Sequence, residues 1–163
     1  MRYKISPEAS IGHIHLTVKN LEKSLHFYHG LLGFEVTAWF GDNAVFLSAG
    51  GYHHHIGLNT WYDEKSAKIP KREIGLYHFA ILLPTRTELA KAFKNLWEAK
   101  YKIQGASDNG VSESIYIEDP DGNGVELYVD RPIYDWPYDE NGKLDLVTKP
   151  LDLPKLLSDL EPE

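Results

Sequence analysis

Four side chains could hold a metal ion between them: His13, His55, His78 and Glu126. Neutral imidazole nitrogen and carboxylate oxygen suit borderline divalent metals. Two imidazoles and one carboxylate with open coordination positions make the donor set of a non-haem iron or manganese site. The chain has no cysteine, so no thiolate is on offer to select another metal. The same absence excludes disulfides and a cysteine nucleophile. A single histidine is most often a solvated or satisfied residue. Several at matched positions of a repeat are a stronger signal.

The repeat is read from the elements that must carry these residues. In IGHIHLTV, residues 11–18, Ile14, Leu16 and Val18 alternate with His13, His15 and Thr17. That is a strand with one buried face. Asn20 can cap a helix whose apolar stripe is Leu21, Leu25, Tyr28, Leu31 and Leu32, stopped by Gly33. FEVTAWF, a Gly-Asp-Asn turn, AVFLSAG and HHHIGLN then read as three strands. WYDEKSAKIPKREIG, residues 61–75, has no periodicity and reads as a loop.

The order then recurs. LYHFAILLP is a strand, and Thr85 or Thr87 opens a helix through Leu89, Phe93, Leu96 and Trp97. YKIQGA, SESIYIED and GVELYVD are three more strands. The expected fold is α+β. Two pseudo-symmetric βαβββ units form a cupped mixed, mainly antiparallel sheet with the helices on its convex face. Residues 1–130 make one module, with units 10–60 and 75–130 joined by the loop 61–75. Residues 131–163 are a tail ending in a short helix over DLPKLLSDL. Laying His13 on His78 sets His55 opposite Glu126, which yields the four corners. The polar strand faces collect His, Tyr and Glu rather than the Lys, Thr and Ser of a solvated face.

Composition narrows the function classes. Hydrophobic residues are 42% and charged residues 25%, as in a globular domain. A formal net charge of -7 disfavours nucleic acid or an anionic membrane as a partner. No signal peptide or membrane-spanning run is seen, so a cytoplasmic location is expected. Asp119-Pro-Asp-Gly-Asn-Gly124 nearly matches an EF-hand calcium loop, but strand sequences flank it, so it reads as a tight turn.

IGHIHLTVKNLEKSLHFYHGLLGFEV and DPDGNGVELY resemble the vicinal oxygen chelate superfamily, which includes glyoxalase I, bleomycin-resistance proteins and extradiol dioxygenases. GGYHHHIGLNTW and GASDNGVSESIYIEDPDGNGVELYVDRP are most similar to its catechol 2,3-dioxygenase-like members. The resemblance implies a divalent metal on His13, His78 and Glu126, with Fe(II) foremost and Mn(II), Zn(II) or Ni(II) as alternatives. It implies a small aromatic substrate and dioxygen as partners, a possible homodimer, and Tyr116 as the residue that orients the substrate. An acid/base histidine is implied within His53-His54-His55. Spacing to Gly57 favours His54, whereas strand alternation and the repeat favour His55. Many relatives carry histidine where this chain has Asn109, and many are about twice as long. A glyoxalase-type isomerase or lyase, with His55 as fourth ligand, and a non-catalytic binder of aromatic drugs are the alternative functions.

Overall fold

The computed structural model describes residues 6–7, 9–61, 76–142 and 144–160. The chain divides into two compact units, residues 1–68 and 69–163. In the first unit, strand β1 (Ile14–Thr17) leads to helix α1 (Leu21–Leu25) and a π-helical segment (His26–Leu31). Strands β2 (Glu35–Phe40), β3 (Ala44–Ser48) and β4 (Ile56–Asn59) follow. The sheet order is β1-β4-β3-β2, with β1 parallel to β4 and the other pairs antiparallel.

The second unit repeats the order with β5 (His78–Leu82), α2 (Arg86–Glu98), β6 (Ile103–Asp108), β7 (Ser112–Glu118) and β8 (Gly124–Asp130). Its sheet runs β5-β8-β7-β6, again with the first pair parallel, and β9 (Lys149–Pro150) extends it beyond β6. The strands thus form two sheets, one for each βαβββ unit. A 3-10 turn (Ile133–Asp135) and helix α3 (Leu153–Ser158) complete the tail, and α3 packs on α2. The loop expected over 61–75 lies, from residue 62 onward, outside the described residues.

Local chemistry explains the elements. Asn20 caps α1 by accepting from the Lys23 N–H at 2.9 Å. Thr85 caps α2 by accepting from Glu88, and Asp152 caps α3 by accepting from Lys155. Along β1 and the residue after it, Leu16 and Val18 are buried while His15 and Thr17 are exposed. Ile115 and Ile117 of β7, Val125 and Leu127 of β8, and Leu89, Phe93 and Leu96 of α2 are all buried and make up much of the second core. Full burial of each such side chain stabilises by about 1.5–3 kcal/mol. The first helix departs from expectation. It is α-helical only to Leu25, then widens, with the Leu32 N–H donating to the Phe27 carbonyl five residues back. The wider turn carries both Phe27 and Tyr28 inward, at 1% and 0% exposure.

The pseudo-symmetry extends to details. The β2–β3 register slips between Val36 and Ala38, and the β6–β7 register slips at the matching place, between Ile103 and Gly105. Each helical segment is followed by a residue in the left-handed region, Gly33 at φ 81 and Lys100 at φ 54.

Candidate metal centre

In the second unit, the parallel pairing of β5 with β8 sets Ala80 beside Glu126 and His78 beside Gly124. A Cβ at Gly124 would lie 2.7 Å from the Tyr77 carbonyl, so only glycine allows β8 to approach His78 this closely. The result is that His78 Nε2 lies 3.0 Å from Glu126 Oε2. Two donors about 2.1 Å from one ion, at right angles around it, stand about 3.0 Å apart. The pair therefore has the spacing of two adjacent ligands. The same distance suits an Nε2–H donating to the carboxylate, a proton that an incoming metal displaces. Both groups are donors for a divalent cation, so the chemistry of the pair fits the implied metal.

Tyr116 is beside this pair. It is the antiparallel partner of Glu126, and its ring centroid is 6.0 Å from that of His78. The Asn109 amide and the Ser107 hydroxyl reach the Tyr116 hydroxyl at 3.5 and 3.4 Å. Tyr128 lies further along the same face. Burial, then the charges of Asp130 and Glu126, push its phenol above the ordinary range, which keeps it neutral.

In the first unit, His13, His15 and the histidine run come together on one side. The ring centroids of His13 and His54 are 4.4 Å apart, and Phe46 packs on His54 at 4.9 Å. His53 Nδ1 lies 2.7 Å from His54 Nδ1, so one of the two carries the shared proton. Burial, with His13 and the other nearby imidazoles, holds the His54 pKa below its usual value. His54 is therefore biased toward the neutral form, which can accept a proton.

The run precedes β4, which starts at Ile56, so strand alternation does not govern it. Its backbone is pinned piece by piece. Thr37 Oγ1, within the β2 irregularity, donates to the His53 carbonyl at 2.8 Å. The His55 N–H donates to Leu47, and the His55 carbonyl accepts from Ile14. The His55 imidazole is turned inward: Nδ1 accepts from the Ala49 N–H at 3.2 Å and lies 3.2 Å from Ser48 Oγ. The alternation argument for His55 therefore fails, and the structure turns His54 rather than His55 onto His13.

The repeat overlay needs a second correction. β1 pairs His15 with Gly57, just as β5 pairs Ala80 with Glu126. With His13 on His78, Gly57 occupies the corner that matches Glu126, and His55 matches Gly124. The units also trade bulk. A Cβ at Gly57 would meet the His15 ring at 2.9 Å, so His15 covers the space expected to be open above this glycine. By the same register, Phe46 matches Tyr116. Neither match was legible, because both depend on a register that the extra residues of the second unit's loops obscure.

Among the described residues, no group of three or more His, Asp or Glu side chains is placed to hold a metal ion. The DPDGNG segment is a turn, as expected. Asp119 Oδ1 accepts from the Asp121 and Asn123 N–H groups, and Asn123 Nδ2 donates to Asp119 Oδ2. No helix among the described residues is long and apolar enough to cross a membrane.

The fold agrees with what comparison with known proteins finds. The sequence model of the Glyoxalase/Bleomycin resistance protein/Dioxygenase superfamily matches residues 10–127, and the chain belongs to that superfamily. It is 40% identical over 156 residues to Catechol-2,3-dioxygenase from Bacillus subtilis (strain 168), covering 95% of this chain and 53% of that protein. The chain thus spans about half the length of that relative. It is 31% identical over 126 residues to Glutathione transferase FosA from Serratia marcescens, covering 74% of this chain and 80% of that protein. The crystal structure of a glyoxalase/dioxygenase from Nostoc punctiforme superposes with a TM-score of 0.64 at 17% identity, covering 81% of this chain and 99% of that one, a likeness of fold.

Proposed function

We propose that the chain is a metal-dependent extradiol dioxygenase that opens the ring of a catechol-like aromatic, with His13, His78 and Glu126 as metal ligands. The observation that carries this reading is the 3.0 Å approach of His78 to Glu126 with Tyr116 alongside. The similarity to Catechol-2,3-dioxygenase supports it. His13 holds the position in the first unit that His78 holds in the second.

A ferrous ion, when bound, supplies Lewis acidity toward the substrate diol and an electron source for dioxygen. The chain's own residues do the rest. His54, next to His13 and biased toward the neutral form, takes the proton of a substrate hydroxyl and later returns it. Tyr116 hydrogen-bonds a substrate oxygen and fixes the ring. Phe46, against His54, offers an apolar wall for an aromatic ring.

The glyoxalase-type reading asks for a fourth protein ligand. The corner that would supply it is Gly57, and the His55 imidazole faces Ala49 and Ser48, which counts against that reading. The test is anaerobic reconstitution with Fe(II) or Mn(II), followed by oxygen uptake against a panel of catechols. Oxygen consumption with a ring-opened product, heavier than the substrate by one dioxygen, is expected. No uptake with any catechol from a metal-loaded chain overturns the proposal.

A further inference from the structure

We infer that Asn109 is a positioning residue for the Tyr116 hydroxyl, and that the C-terminal segment locks the turn that carries it. The inference rests on Tyr116 being the substrate-facing group of the proposed reaction. Asn109 sits between β6 and β7 and makes three side-chain contacts. Its Oδ1 accepts from Ser107 Oγ at 3.0 Å, and its Nδ2 donates to Ser114 Oγ at 3.3 Å and to Tyr116 Oη at 3.5 Å. An amide that donates to the phenol oxygen does not take up the phenol's own proton. It also restricts the rotation of the hydroxyl.

A short turn does not hold an amide to a fraction of an ångström unaided. Such placement needs supporting contacts around the positioning group, and the tail supplies them on every side of this turn. Before Asn109, β9 pairs Pro150 with Ser107 and Lys149 with Asp108. After it, the Arg131 N–H donates to the Val111 carbonyl at 2.7 Å. Arg131 Nη2 reaches back to Asp108 Oδ2 at 2.7 Å and across to Glu113 Oε1 at 3.1 Å. Glu113, 7% exposed, also accepts from Arg86 Nε at 2.6 Å, and Arg86 in turn pairs with Asp159 of the tail. At the turn itself, the Gly110 N–H donates to Asp108 Oδ1 at 2.9 Å. A Cβ on Gly110 would lie 2.9 Å from Pro137 Cγ and 3.0 Å from Val147 Cγ2, both tail residues. Asn109 is therefore flanked by residues that the tail grips, while its own side chain reaches Tyr116.

The test uses the full chain in two states. In the metal-free chain labelled with ring-fluorinated tyrosine, the Tyr116 resonance is assigned by Tyr116→Phe. It is then followed in Asn109→Ala, Arg131→Gln and Val147→Ala. All three should move or broaden it. Val147→Ala leaves every ion pair in place, so it answers the question even where Arg131→Gln does not fold. In the iron-loaded chain, Asn109→Ala should raise KM for the catechol that is turned over by about tenfold, with a smaller change in kcat. In a Tyr116→Phe background, the same substitution should add little. An unmoved Tyr116 resonance in a folded Val147→Ala chain, or an equal effect of Asn109→Ala with and without the tyrosine hydroxyl, overturns the inference. Failure of the wild-type chain to consume oxygen with any catechol speaks against the proposed reaction instead, and the fluorine measurement still decides the positioning.

Discussion

His78 Nε2 and Glu126 Oε2 approach to 3.0 Å across the parallel β5–β8 pair. Neither residue is reached from the other by strand alternation alone. Their meeting requires the register that sets His78 against Gly124, and a glycine there to admit it. The geometry makes Glu126 the residue whose charge matters most to the proposed site. Glu126→Gln keeps the size of the side chain and its place between the buried Val125 and Leu127. The fold should survive, while metal affinity should fall at least 10–100-fold, the usual cost of losing even an outer-shell partner. Metal content after dialysis, together with circular dichroism, checks both halves.

The histidine run gives a sharper prediction. His54 packs on His13 and is biased toward the neutral form, whereas His55 Nδ1 accepts a backbone N–H. His54→Ala should therefore reduce turnover by about 10²–10⁴-fold at equal metal content, the usual contribution of an acid/base group. His55→Ala should cost stability instead, about 1–3 kcal/mol for a polar group left without its partner. Turnover and denaturant unfolding of the two variants separate the roles. If His55→Ala loses turnover without losing stability, the assignment is reversed.

Much of this was legible in the sequence, and the reason it was is local. Period-two patterns placed β1 and β8. Asn20, and Thr85 or Thr87, announced helix starts, because a capping side chain acts within three residues. What stayed hidden depends on distant register or on backbone geometry. The π-helical segment at His26–Leu31 has no signature in residue type. The match of Gly57, rather than His55, to Glu126 follows from hydrogen-bonded pairing between strands far apart in the chain. Asn109 was visible as a departure from relatives. Its contact with Tyr116, and the tail's grip on its turn, join residues that only the folded chain brings together.

Gly57 supplies the third prediction. The His15 ring occupies the space a Cβ would need, with ring atoms at 2.9 Å, and the ring is itself packed near Phe46 and Trp61. Gly57→Ala should destabilise by about 1–3 kcal/mol, the usual cost of forcing an extra carbon into a packed contact. Adding His15→Ala should restore most of the loss, because the three atoms nearest the added Cβ all belong to the His15 ring. A double-mutant cycle by urea unfolding measures the coupling. Additive losses would place the strain elsewhere in β4.

The last prediction concerns alkaline pH. Tyr101 follows the left-handed Lys100 at the end of α2, and its hydroxyl donates to the Glu118 carbonyl at 2.6 Å. This bond ties the entry to β6 to the end of β7, just before the turn that leads into β8. Burial, then the charges of Asp119 and Glu118, push the phenol pKa up to about 12. In the unfolded chain it titrates near its ordinary value of about 10. The folded state therefore holds the proton more tightly than the unfolded state. The stabilisation is fully present below about pH 10 and is lost as pH rises from about 10 to about 12. Stability measured by urea unfolding should fall through that window. Tyr101→Phe cannot ionise, so its stability should be lower at neutral pH, for want of the bond to Glu118, and should show a shallower fall between the same limits. A variant whose stability falls as steeply as the wild type would assign the alkaline transition to another group, with Tyr128, whose phenol is also raised, the first to examine.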